Sequence, residues 1–444
     1  MARKPQIHRN YRTKPVNETL TALVADESGN IIELEGFGAV GMAGDALTPL
    51  FSRETLTMPH GGELMFLPDR VPILQDLATG QLAAVPENPY QPGERIFPVA
   101  GFNSPGYVHT CAPAYEERPN ANPLPLFAYG AVGWHKGEFR SAVFQIDREP
   151  RQDLRRMPMA AVRKGVTALR KKLPQNRLRN HLEKCALTYG CPAAKNFFVG
   201  RCEAPLPTSP HCNARCLGCL SLQRVGNISH CQDRIAFMPS PKEIAEIALT
   251  HLEKVPDGVV SFGQGCEGEP LLAAEVIAPA IGLIRERTDR GTINLNTNGS
   301  LPKVLATLFD AGLDSIRVSL NSLRAACYAA YFRPMGYRFS NVLESISHGI
   351  AQNRHVAINY LNMAGFTDTP EEKAALMEFL ETHAINQIQW RNLNFDPLQY
   401  WRVMAAAERH SPPEGMKQLV NAVKLAFPRV HHGYFNPYVS KFKA

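Results

Sequence analysis

A chain of 444 residues, 44% of them hydrophobic, is long enough for about two or three domains and a sizeable buried core. No uninterrupted apolar run reaches the roughly 18 residues of a membrane span, and the basic start, from Met1 to Asn10, leads into no apolar stretch, so neither a membrane protein nor a secretory signal is expected. Ten cysteines, clustered rather than spread, suit a reducing compartment and metal chemistry more than a disulfide framework, and the expected location is cytoplasmic. The net charge of +7 is local. Residues 151–184 carry eleven Lys/Arg against Asp153 and Glu183, which is +9 in that segment and −2 for everything else.

In chain order, residues 1–150 are rich in Pro and Gly and predict a β-rich module of unknown role. Residues 19–34 pattern as a hairpin turning at 26–30, and residues 126–146 as another turning at 135–137. Residues 151–206 predict a basic helical linker, interrupted near Pro174, with a Cys-bearing connector from Cys185 to Cys202. The basic stripe is first of all a solvated helix face; it is also the sole motive for considering a polyanionic partner. From 207 to 400, apolar β runs at 258–262, 292–296, 315–320, 356–360 and 385–390 alternate with helical stretches such as 241–252 and 272–287. That alternation predicts an α/β fold with a parallel sheet, helical crossovers and an active face at the strand C-termini. Residues 401–444 predict one helix over 415–427 and an aromatic, basic tail.

The chemistry concentrates in three places. The run Ser209-Pro-His-Cys-Asn-Ala-Arg-Cys-Leu-Gly-Cys-Leu-Ser221 holds Cys212, Cys216 and Cys219 in C-x3-C-x2-C spacing. Three thiolates on one short loop can wrap one face of a cubane iron–sulfur cluster and leave one iron open. A tetrahedral zinc would need a fourth ligand such as His211, Cys202 or Cys231. Next, the strand ending at Phe262 runs into the turn Gly263-Gln-Gly-Cys-Glu-Gly-Glu-Pro270, where glycines allow close backbone approach and Glu269 can accept from an ammonium group. Lastly, Asn296-Thr297-Asn298 and Ser319-Leu-Asn321 place small polar groups at strand ends, and alternation puts Ser319 and Asn321 on one face.

In content and order these segments resemble the radical S-adenosylmethionine (SAM) superfamily, over about residues 207–400. The resemblance implies a partial (β/α) barrel of radical SAM type, a [4Fe-4S] cluster on Cys212, Cys216 and Cys219, and S-adenosyl-L-methionine chelating the open iron. The turn is similar to the Gly-Gly-Glu-Pro motif that meets the amino group of SAM, with Glu267 standing where the first glycine is usual. On that basis Glu267, Gly268, Glu269, Asn296, Thr297, Asn298, Ser319 and Asn321 are expected cofactor contacts. Two later segments are expected on the adenine side: the glycine turn after Asn359, and the run Trp390-Arg391-Asn392 with Asn394, from which Trp390 and Asn392 are taken as contacts and Trp390 as a ring-stacking residue. Gly218 replaces an aromatic residue that the family usually places before the third cysteine.

The implied activity is reductive cleavage of SAM to methionine and a 5′-deoxyadenosyl radical, which removes a hydrogen atom from a small-molecule or peptide substrate. It requires an external one-electron reductant of flavodoxin or ferredoxin type. The alternatives are a radical SAM enzyme acting on RNA and, further off, a non-enzymatic zinc or iron–sulfur protein. Cys185, Cys191, Cys202, Cys231 and Cys266 lie near the trio and are open to three readings, an auxiliary cluster, a catalytic thiol or an inert role; the spacing C-x5-C-x10-C of the first three fits no recognised cluster pattern, which favours inert or structural. Cys266, inside the glycine turn, is the one expected to face the active site.

Overall fold

The structure, a computed structural model, describes residues 18–223 and 228–442. The basic N-terminal run lies outside the described residues. Among the described residues no helix is long and apolar enough to cross a membrane.

Seven parallel strands in sequential order form a curled half-barrel sheet: β1 (Glu203–Pro205), β2 (Val259–Phe262), β3 (Thr292–Thr297), β4 (Ser315–Leu320), β5 (His355–Asn362), β6 (Gln387–Asn392) and β7 (His431–Gly433). Sequential order follows when each crossover returns the chain beside the strand it left. Every central strand alternates: Ile293, Leu295, Ile316, Val318, Val356, Ile358 and Ile388 are fully buried against the outer helices. Polar residues occupy the opposite, concave face. The helices begin where capping chemistry directs. Ser240 accepts from the Glu243 N–H while Glu243 reaches back to the Ser240 N–H, with Pro241 in the first position of Pro241–Lys254. Thr369 caps Pro370–Thr382 by accepting from the Glu372 N–H, again with Pro in the first turn.

Ahead of the sheet, antiparallel strands build the N-terminal module, including a ten-stranded sheet. Its first hairpin pairs Thr21–Ala25 with Ile31–Gly38, and the Asp26 carboxylate accepts from the Ser28 and Asn30 N–H groups to close the turn (2.8 Å each). A later one pairs Gly130–His135 with Glu138–Ser141. Three helices follow, α1 (Met159–Lys172), α2 (Arg177–Leu187) and α3 (Pro192–Val199), the first two separated at Pro174. α1 buries only Val162 and Val166, so most of its basic residues are solvated.

The module packs on the C-terminal ends of β5 and β6. Fully buried Arg70 donates to Asp396 (3.0 Å) and Glu117 (3.3 Å), and the Tyr115 hydroxyl donates to Asp396 (3.0 Å). Asp396 also caps the helix Pro397–Ala407 by accepting from Leu398 and Gln399 N–H. One ion network therefore fixes a module strand and the helix after β6 together.

Candidate active site

The three cysteines lie on an irregular loop between β1 and the helix Pro241–Lys254, over the C-terminal ends of β2–β4. Backbone bonds hold that loop from two sides. Arg215 and Leu217 N–H donate to Phe332 and Tyr331 carbonyls (2.9 and 3.1 Å), and Met335 N–H donates to Asn213 O (2.8 Å). On the other side Gly268 N–H donates to Ser209 O (2.6 Å) and Glu269 N–H to His211 O (2.8 Å). The cluster loop and the glycine turn are thus zipped backbone to backbone.

Cys212, Cys216 and Cys219 line one cavity with Gly263, Gly265, Gly268, Glu269, Asn296, Thr297, Asn298 and Ser319. Burial, then the neighbouring Glu269 carboxylate, pushes the Cys212 thiol up to about 11. Burial, then the charges of Cys212 and Cys219, raise Cys216 well above the usual thiol range. At the third cysteine, Arg234 donates to Cys219 Sγ (3.5 Å) and to Ser221 Oγ (3.1 Å). Glu269 is fully enclosed, and burial raises its carboxyl to about 7. It accepts from the Thr297 hydroxyl, from Asn298 N–H (2.8 Å) and from Leu271 N–H (3.1 Å). A carboxylate has about four acceptor positions, so one remains for a ligand donor.

The other expected contacts divide. Asn296 Nδ2 donates to Phe262 O and Gly263 O (2.9 and 3.2 Å), tying β3 to the turn while it lines the cavity. Asn298 Nδ2 donates to Asn213 Oδ1 (2.8 Å), joining the strand end to the cluster loop. Ser319 faces the cavity and accepts from Asn359 (3.3 Å).

Glu267 also lines the cavity, and its carboxylate anchors the turn: it accepts from Thr208 N–H (2.8 Å), Thr208 Oγ1 (3.1 Å), Ser209 N–H (3.0 Å) and Gln264 N–H (2.7 Å). Four expectations are corrected. Asn321 lies past the end of β4, where alternation no longer applies. Its amide donates to Cys327 O and the Tyr400 hydroxyl (3.2 Å each), away from the cavity. Trp390 faces the helix side, edge-on to Tyr360 at 5.8 Å, with Nε1 donating to His432 (2.9 Å). Asn392 shares that face and staples the module, accepting from His109 N–H (3.0 Å) and donating to Tyr107 O (2.9 Å). Cys266 also turns from the cavity, toward α2.

The cavity also receives Arg317, Asn359 and Arg391, of which Asn359 and Arg391 lay in segments singled out in the sequence without being taken as contacts. The signal was present: Gln387, Gln389 and Arg391 alternate with Ile388, Trp390 and Asn392, so choosing one member of β6 fixes the rest. Gly218 is explained as well. The Tyr331 hydroxyl stands 3.1 Å from where a Cβ would be, and Asn394 and Phe395 close the same space. A ring from a neighbouring helix occupies the place of the local aromatic side chain.

Residues 206–380 match the family model of the Radical SAM superfamily. Residues 206–380 form a radical SAM domain. GTP 3′,8-cyclase of Corynebacterium glutamicum (strain R) is 29% identical over 197 residues, covering 40% of this chain and 49% of that protein. GTP 3′,8-cyclase of Mycobacterium ulcerans (strain Agy99) is 29% identical over 237 residues, covering 49% and 60%. The chain spans about half the length of the curated relatives it matches. Among solved structures, methylornithine synthase aligns with a TM-score of 0.36 at 14% identity over 62% of this chain and 75% of that one. Native anSMEcpe with bound AdoMet aligns with a TM-score of 0.36 at 16% identity over 52% and 63%.

The radical SAM family uses a [4Fe-4S] cluster and SAM, and the residues present fit both. Among the described residues, the metal-ligating atoms gathered within 4.8 Å of one another belong to His181, Cys185 and Cys266, not to the trio. Thiolates sharing one tetrahedral zinc at ~2.3 Å stand only about 3.8 Å apart. The wider trio suits ligands to separate irons of a cluster. Beside it, Glu269 offers an acceptor for an ammonium group and the glycine turn leaves backbone groups open to a ligand.

Proposed function

We propose that this chain cleaves SAM reductively at a [4Fe-4S] cluster and abstracts a hydrogen atom from an anionic small molecule. The observation that carries the reading is the convergence, in one cavity, of three thiols, a buried carboxylate acceptor and two arginines. When bound, the cluster and SAM supply the one-electron chemistry. The protein's own groups bind and orient. Cys212, Cys216 and Cys219 hold the iron, Glu269 accepts from the SAM ammonium group, and Asn296, Asn298 and Ser319 supply polar contacts around it. Arg317 and Arg391 bring two guanidinium groups to the concave face, where they favour carboxylate or phosphate. Relatives named GTP 3′,8-cyclase support a small anionic substrate, and a nucleotide is one member of that class. On the outer side of the cluster loop, Arg215, Arg234 and Arg333 border a groove that suits an acidic electron donor of flavodoxin or ferredoxin type.

The test uses anaerobically reconstituted full chain with dithionite. Wild type should release 5′-deoxyadenosine and Cys216→Ala should release none. Small-molecule extract fractionated by anion exchange should stimulate release through an acidic fraction, and Arg391→Met should lose that stimulation by about tenfold or more, as loss of a charge-assisted contact predicts. Absence of SAM cleavage by wild type sinks the activity. Stimulation by neutral or cationic fractions alone sinks the substrate class.

A further inference from the structure

Behind the glycine turn lies a second group of metal-ligating side chains that the radical chemistry does not use. His181 and Cys185 stand four residues apart on α2, hence on one helix face. Cys266 meets them from the turn between β2 and the helix Ala274–Arg285. Cys185 Sγ is 3.5 Å from His181 Nε2, and all three donor atoms lie within 4.8 Å of one another. Both thiols are buried, Cys185 at 1% exposure and Cys266 at 4%, while the histidine is half-buried.

Such spacing is the converse of the cysteine trio. Donors this close surround a single ion; they leave no room for a cluster. Two thiolates and an imidazole select a borderline-soft divalent cation over magnesium or calcium, which take oxygen ligands. Cys191, at the start of α3, donates its N–H to the Cys185 carbonyl (3.0 Å), but its thiol is not among the three close donors.

We propose that His181, Cys185 and Cys266 form a structural site for one zinc-class divalent ion, independent of the iron–sulfur centre. Binding forms two metal–thiolate bonds and one metal–imidazole bond and releases the two thiol protons; nothing is oxidised or reduced. The ion clamps the linker helix α2 to the turn that carries Glu269. It thereby sets the position of the turn from outside the cavity.

Co²⁺ is the probe, added under anaerobic conditions to the full chain and to a Cys212→Ala/Cys216→Ala/Cys219→Ala variant that cannot hold the cluster. Both should bind one equivalent with the visible bands of tetrahedral thiolate-ligated cobalt, and Zn²⁺ should displace it. Cys185→Ala and Cys266→Ala should each abolish the bands. His181→Gln, a milder change on a half-buried helix face, should shift them and weaken binding at least tenfold, with folding checked by circular dichroism. Bands that survive loss of Cys185 and Cys266, the absence of bands in both proteins, or a Cys185–Cys266 disulfide in metal-free protein as purified would overturn the site.

Discussion

At Gly268 a single hydrogen atom separates the glycine turn from the cluster loop. A Cβ there would stand 1.9 Å from the His211 carbonyl oxygen, a backbone atom that can move only with the whole loop. Gly268→Ala should therefore displace Cys212, lower the iron bound after reconstitution, and destabilise the fold by roughly 1–3 kcal/mol, the usual range for overpacking. Iron content equal to wild type would refute the close approach. His109 allows a pH test. Burial lowers its pKa to about 4, so the folded chain holds it neutral while the unfolded chain protonates it near 6.5. Its contribution is complete above about pH 6.5 and is lost as pH falls toward 4, at about 1.4 kcal/mol per pH unit. His109→Gln should flatten the pH dependence of urea unfolding across that window relative to wild type; parallel profiles would exclude the effect. Placement in the shared cavity was legible in the sequence where chemistry is strict, as at the three cysteines and Glu269. It was not legible at Trp390 and Asn392, because β6 carries polar groups on both faces and only packing shows which face is concave.

The same limit recurs among the elements. β2 to β6 were legible because apolar, β-branched runs flanked by glycine or asparagine suit buried parallel strands. β1 and β7, three residues each at the sheet edges, are too short to carry a period, and Pro205 and Gly433 argue against strand on composition alone. The joint between module and barrel was invisible for another reason: Arg70 and Asp396 are 326 residues apart and meet only when both parts have folded. Asp396→Asn keeps an acceptor for the helix cap but leaves Arg70 buried without its closest anion. A loss of about 3–5 kcal/mol in unfolding free energy is expected. The double change Arg70→Met/Asp396→Leu should restore much of it, which denaturant titration of all three variants will measure; no recovery would mean that the network contributes through geometry and not charge.

For the whole molecule, the distribution of charge decides which partners are plausible. The excess of +9 in residues 151–184 suggested a polyanion, yet the fold brings carboxylates to it from elsewhere. Arg170 and Arg179 pair with Glu183, Arg177 with Glu243 (2.7 Å), and Lys184 with Asp233 (2.5 Å). Glu243 and Asp233 come from outside the segment, which sequence counting could not anticipate. The pairing reduces the free charge without removing it, so nucleic-acid binding should depend steeply on salt and should vanish near ~0.15 M salt in a filter-binding assay. Retention at that salt would revive the RNA reading. Glu267 carries a different consequence. A search pattern requiring glycine at that place would pass over this chain, and an engineer restoring the common motif with Glu267→Gly would strip the acceptor from three backbone N–H groups on two segments nearly sixty residues apart. Here the rarer residue is the one the architecture depends on, so similarity to a consensus is a poor guide to which substitutions this protein will tolerate.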